Sequence, residues 1–156
     1  MHPFAHMMTG ALIGQVAPTP IVALAGGVLS HYLLDALPHT EGATFSSAPR
    51  SAPARRFAVE IIEAGVEVGA GLLALAWMAG RCADWKPLSI GLGVLGALAL
   101  DIVDQPLLVW FGVSLLHIPA LHWTAKRRHA IGGILTQITV ATLAGASLWR
   151  IGRCGG

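Results

Sequence analysis

Six of the eight acidic residues in this 156-residue chain, Asp35, Glu60, Glu63, Glu67, Asp101 and Asp104, fall inside long apolar segments, whereas all ten Lys and Arg fall outside them. A charged side chain at the centre of a bilayer costs on the order of 3 kcal/mol on insertion scales, so acids so placed mark a paired or functional site. Any fold available to this chain has to gather them. The composition points the same way: 12% of residues are charged, about half the share of an average soluble domain.

Three segments, 57–80, 88–112 and 130–149, reach the roughly 20 apolar residues that cross a bilayer core. Two shorter stretches, 4–16 and 21–37, flank Ala17-Pro18-Thr19-Pro20. The first amounts to about 20 Å of helix, too short to span alone, and no Lys or Arg precedes it as a signal peptide requires. The pair reads as a helical hairpin, re-entrant or buried against the other helices. The expected fold is an all-α integral membrane protein of one domain. It has an N-terminal helical hairpin over 1–37, a polar loop over 38–56, and three spanning helices. Small residues four apart, Gly10/Gly14, Gly65/Gly69 and Ala141/Gly145, are candidate close-packing stripes.

Arg50, Arg55, Arg56, Lys126, Arg127 and Arg128 lie in the connections on one side, and Arg81, Lys86, Arg150 and Arg153 on the other. Six against four places 38–56 and 113–129 in the cytoplasm. Cys82 and Cys154 then share the outer side, where a disulfide and two free thiols are both open. No basic run exceeds Lys126-Arg127-Arg128, which excludes a nucleic-acid binder of the usual strongly basic kind. Trp77, Trp85, Trp110, Trp123 and Trp149 lie near segment ends, as an interfacial aromatic belt predicts.

Laid on antiparallel helices, the acids and histidines converge. Glu60, Glu63 and Glu67 share one stripe in the first turns of one span, and Asp101 and Asp104 fall in the matching half of the next, which runs the opposite way. The hairpin brings His6, His31, Asp35 and His39 to that same end, and His117, His122 and His129 follow in the connection. Carboxylate with imidazole and no thiolate is the ligand set of zinc, iron or manganese. Such an ion acidifies a bound water to a pKa of about 7. Each piece also has a plainer reading. The His31/Asp35 pair suits a helix contact. The glutamates suit a cation or proton pathway, or a face turned to a partner. Asp101 and Asp104 lie beside a kink at Pro106, and the three loop histidines suit an interface, with His122 the best ligand among them.

The run Gly26-Gly27-Val28-Leu29-Ser30-His31-Tyr32-Leu33-Leu34-Asp35, with Thr40-Glu41-Gly42 after it, resembles the G-x-L-S-H-L-L-L-D segment of the small bacterial membrane-bound metal-dependent hydrolases. His6-Met7-Met8-Thr9-Gly10 is similar to their M-T-H-x-x-x-G opening. The segment Gly96 to Asp104 is similar to their G-x-L-L-P-D-x-D element, with Leu100 in place of the proline and the order of the motifs changed. The resemblance implies a bacterial inner-membrane protein in which His6, His31, Asp35, Asp101 and Asp104 hold a divalent metal, with zinc expected. His39 and His122 are further candidate ligands, and Glu60 or Glu63 would complete the shell or serve as general base. The expected activity is hydrolysis of a phosphate ester or another lipid-like substrate entering from the bilayer. The alternatives are a non-catalytic subunit of a homo-oligomer or larger membrane complex, and a cation or proton carrier using Glu60, Glu63 and Glu67.

Overall fold

Among the described residues proline opens four of five helices: α1 (Pro3–Val16), α2 (Pro20–Asp35), α3 (Pro53–Ala79) and α4 (Pro87–Phe111), followed by α5 (Ala130–Ile151). The first helical position needs no N–H partner, and the ring pre-sets the helical φ, so each proline starts a helix without breaking one. These elements belong to a computed structural model that describes residues 2–40, 53–111 and 130–154; the side chains of residues 53–57, 60, 104–111 and 130 lie outside that description. Every regular element among the described residues is helical. The helix expected from residue 57 starts four residues earlier, at Pro53, inside the segment read as loop.

The hairpin forms as expected. Ala17-Pro18-Thr19 turns the chain, and the Thr19 hydroxyl accepts the Val22 N–H at 3.4 Å as a cap for α2. α1 is the central helix and touches all four others. Met7 and Met8 on α1 pack with Leu75 and Met78 of α3, Ile90 and Leu98 of α4, and Leu148 of α5. Enclosure is how a helix too short to span stays buried: its neighbours supply the apolar surroundings.

α1, α2 and α4 meet at Gly93. A methyl group there would run into the backbone of Gly10, while one on Gly27 would run into the backbone of Gly93, and one on Gly96 into Leu24. Small residues at these positions let the helix backbones approach one another directly. Of the stripes expected to pack closely, Gly10/Gly14 does so against α4, and Gly145 lies against Met8. Gly65 and Gly69 face open space.

α3 and α5 supply stretches long and apolar enough to cross a membrane, Ile61–Ala79 and Ile131–Ile151. Only 17% and 22% of these windows is buried inside the protein. A core helix of a soluble protein would be mostly enclosed. Here Ile62, Val66, Leu73, Ile131, Leu135 and Leu143 point outward. The third expected span falls on α4, whose described apolar part, Pro87–Val103, is shorter than a crossing.

The two long helices are tied together at one end. Cys82, just past α3, is bonded to Cys154, just past α5, which decides between the disulfide and the free thiols. Beside it Trp77 stacks on Trp149 at 5.1 Å, and the Arg81 guanidinium lies 4.3 Å above the Trp77 ring. The side chain of Trp110, and Trp123 altogether, lie outside the described residues.

Candidate metal centre

His6 occupies the same stripe of α1 as Gly10 and Gly14, one and two turns on, so the face that packs against α4 also carries His6 toward it. On α2 the i, i+4 spacing of His31 and Asp35 sets both side chains on one face, near the C-terminal end. Asp101 lies on α4 one turn beyond Ala97, whose backbone nitrogen is met by Gly27. Three glycine-mediated contacts thereby fix three helices that each contribute to one cluster.

One ligand atom from each of His6, His31 and Asp101 lies within 4.8 Å of the others, and the three can hold a metal ion. Asp35 reaches between the imidazoles: its Oδ1 is 3.3 Å from His6 Nε2 and its Oδ2 is 3.2 Å from His31 Nε2. His31 Nε2 also lies 3.8 Å from Asp101 Oδ1. Ligand bonds of about 2.0–2.1 Å in a tetrahedron put neighbouring ligand atoms about 3.3 Å apart. With mutual separations of up to 4.8 Å, the three donors would have to draw together to share an ion of that size.

The His31 ring is oriented from behind. Its Nδ1–H donates to the Ala97 carbonyl at 2.7 Å, which leaves Nε2 as the nitrogen facing Asp35 and Asp101. A backbone carbonyl on the far nitrogen is the usual way a ligating histidine has its tautomer set. His6 stacks on His31, with ring centroids 4.2 Å apart and planes inclined by 12°. It is completely buried, its Nδ1 has no hydrogen-bond partner, and its Nε2 faces Asp35 without the alignment a hydrogen bond needs. A buried polar nitrogen in that state calls for an explanation such as a bound ion. Asp35 is also buried, 6% exposed. A carboxylate there needs a compensating positive charge, which a divalent ion or a protonated imidazole supplies.

His39 is fully buried beside this group, its Nε2 4.0 Å from Asp35 Oδ1 and its Nδ1–H donating to the Leu37 carbonyl at 2.8 Å. The next residue locks it in place. Gln137 on α5 donates to the Thr40 carbonyl at 2.6 Å and accepts the Thr40 hydroxyl at 3.3 Å. Gly133, one turn earlier, leaves room for the backbone of His39 and Thr40. Gln137, Thr40, Gly133 and the Ala97 carbonyl are the parts that reading the residues overlooked. A backbone acceptor and a clamp made across 97 residues have no local sequence signal.

Other expected members stand elsewhere. Glu63 and Glu67 line a cleft between α3 and α5 and do not join the His6, His31 and Asp101 group. Glu67 pairs with His2 and accepts the Phe4 N–H at 3.3 Å, satisfying a donor at the start of α1. α1 stands between: Ala5 and Met8 line the cleft with the two glutamates, and His6 lies against Asp35 and His31 of α2. The side chains of Asp104 and Glu60 lie outside the described residues, as do His117, His122 and His129 altogether.

No protein-family model, curated protein or solved structure matches this chain.

Proposed function

We propose that this protein is a membrane-embedded, metal-dependent hydrolase that binds zinc through His6, His31 and Asp101, with Asp35 completing the group. The observation that carries the reading is the spacing of these donors across three helices. One ligand atom from each of His6, His31 and Asp101 lies within 4.8 Å of the others, and Asp35 stands 3.3 Å from His6 Nε2 and 3.2 Å from His31 Nε2, so an inward shift of the side chains would bring them to the roughly 3.3 Å edges of a zinc tetrahedron. A zinc ion held there would supply an acidified water for attack on a phosphate ester or a similar lipid-like bond. Asp35, in reach of both imidazoles, holds or returns a proton at its Oδ atoms. Asp101 is 33% exposed in its side chain, so the group is approached from that side. The hydrolytic assignment rests on the resemblance of the segments around His6, His31 and Asp101.

The outward apolar faces of α3 and α5 support embedding in a bilayer, and in this reading α4, which continues to Phe111, is the third crossing. The disulfide end belongs on an oxidising side. The His/Asp group lies at the opposite end of the bundle, and this, together with the Lys and Arg count, supports reading it as facing the cytoplasm of a bacterial inner membrane. Metal analysis of protein purified in detergent tests the centre, and turnover of a chromogenic phosphodiester in the zinc-loaded protein tests the chemistry. A wild-type chain that takes up no stoichiometric zinc overturns both.

One observation favours a second reading, a non-catalytic subunit of a membrane complex. Gly65 and Gly69 form an open small-residue stripe on α3, suited to a partner helix. Purification only in company with one fixed partner, unaffected by His31→Ala, would establish that alternative.

A further inference from the structure

α3 and α5 meet at the disulfide and the Trp77/Trp149 stack, and toward the other end they leave a cleft of about 790 Å³ floored by α1. That volume lies within the range of small-molecule sites, about 300–1,000 Å³. The lining is graded along its length. His2, Thr40, Glu63, Glu67 and Gln137 supply most of the polar groups, toward one end, and Met8, Ala141 and Gly145 continue it as a mainly apolar trough that carries one hydroxyl, Thr142, with Ile62, Val66 and Ile138 on its walls. The two flanking helices are the ones of bilayer length. A trough opening between them meets acyl chains, and a water-soluble ion would gain nothing from its walls.

The polar end asks for a particular head group. Glu67 is occupied by His2 and the Phe4 N–H. Glu63 has a buried carboxylate oxygen, Oε2, with no hydrogen-bond partner. Two carboxylates in one cleft disfavour an anionic head and favour a cationic one. An unpaired acceptor oxygen further requires a donor: a primary ammonium carries three N–H groups, whereas a quaternary ammonium carries none. We infer that the cleft between α3 and α5 is a binding site for an aminophospholipid of the bilayer, its primary ammonium on Glu63 and one acyl chain along the trough between Val66, Ile138 and Ala141.

This inference rests on the membrane embedding proposed above and is independent of the metal and of hydrolysis. The test is native mass spectrometry of the full chain released from nanodiscs containing equal amounts of dioleoylphosphatidylethanolamine and dioleoylphosphatidylcholine. The expected result is retention of the ethanolamine lipid over the choline lipid by about tenfold, the discrimination a charge-assisted hydrogen bond provides. Glu63→Gln should bring the ratio close to one while zinc content stays at the wild-type level. Ile138→Trp, which fills the trough and leaves Glu63 untouched, should release both lipids. Equal retention of the two lipids by the wild type overturns the inference, as does a preference that survives Glu63→Gln, or a lipid-free dimer that shields the cleft. Failure of the chain to enter nanodiscs at all would instead remove the embedding on which it rests.

Discussion

His6 and His31 stack face to face although they come from antiparallel helices, and Asp35 lies against both rings, 3.3 Å from one and 3.2 Å from the other. Neither imidazole is placed by its own helix alone. His31 is turned by the Ala97 carbonyl of α4, and His6 is carried into position by the stripe it shares with Gly10 and Gly14. The centre is therefore a product of helix packing, and its integrity should report on that packing as well as on its ligands.

Zinc should stabilise the wild-type protein against thermal unfolding in detergent. A ligand present at a hundred times its dissociation constant contributes about 2.7 kcal/mol when it binds only the folded state. His31→Ala removes one donor, a side chain that faces both Asp35 and Asp101. Losing a supporting partner of a ligand already weakens metal affinity about 10–100-fold, so losing the ligand itself should abolish the zinc-dependent shift in Tm. An equal shift in wild type and variant would place the metal elsewhere.

Gly93→Ala should unfold the three-helix junction or push it apart. The added methyl group would fall against the backbone of Gly10, which unlike a side chain cannot rotate away. Overpacking of this kind costs about 1–3 kcal/mol, and more where backbone must shift. The same change at Gly65, where nothing lies within 4 Å, should be close to neutral or stabilising, because alanine is the better helix former. Melting temperatures of the two variants in one detergent check both halves, and zinc binding should fall with Gly93→Ala alone.

Much of this arrangement is legible in the residues and some is not. Run lengths and prolines locate the helices, and antiparallel order is enough to bring His6, His31, Asp35 and Asp101 to one end. What that logic cannot resolve is rotation about the axis of α1. This helix is apolar on every side because neighbours enclose it, so no amphipathic stripe says which face meets α4. The same logic counts the glutamates as members of the cluster, yet Glu63 and Glu67 line the cleft with Ala5 and Met8 of α1. The glycine pairs teach the same lesson: Gly10/Gly14 and Gly65/Gly69 have identical spacing, and only the first meets another helix. Spacing states that a close approach is allowed, and the partner decides whether it happens.

Gln15→Ala should loosen the opposite end of the bundle. Gln15 is buried near the end of α1 and serves both sides of one turn, donating to the Asp84 carbonyl and accepting the Lys86 N–H at 3.2 Å. Truncation leaves these backbone groups without their partner, at about 1–3 kcal/mol for a buried group. Hydrogen exchange should accelerate at the Lys86 amide, while zinc affinity, set at the far end, should change little. A large loss of zinc binding would mean that the two ends are coupled.

Reduction of Cys82–Cys154 should destabilise the fold without emptying the centre. The bond closes a loop with a sequence separation of 72 residues, and in the chain-entropy account a loop of that size contributes about 4 kcal/mol through the unfolded state. The bond also fixes where α3 and α5 meet, since Asp84 N–H donates to the Gly152 carbonyl at 3.1 Å and Trp77 stacks on Trp149 beside it. The His/Asp group draws its ligands from α1, α2 and α4, none of which carries either cysteine. Cys82→Ser should therefore lower Tm markedly and remove the sensitivity of Tm to a reductant, with zinc stoichiometry kept at low temperature. If zinc is lost as soon as the bond is reduced, the three-helix junction does not stand by itself, and α3 and α5 must hold it in place.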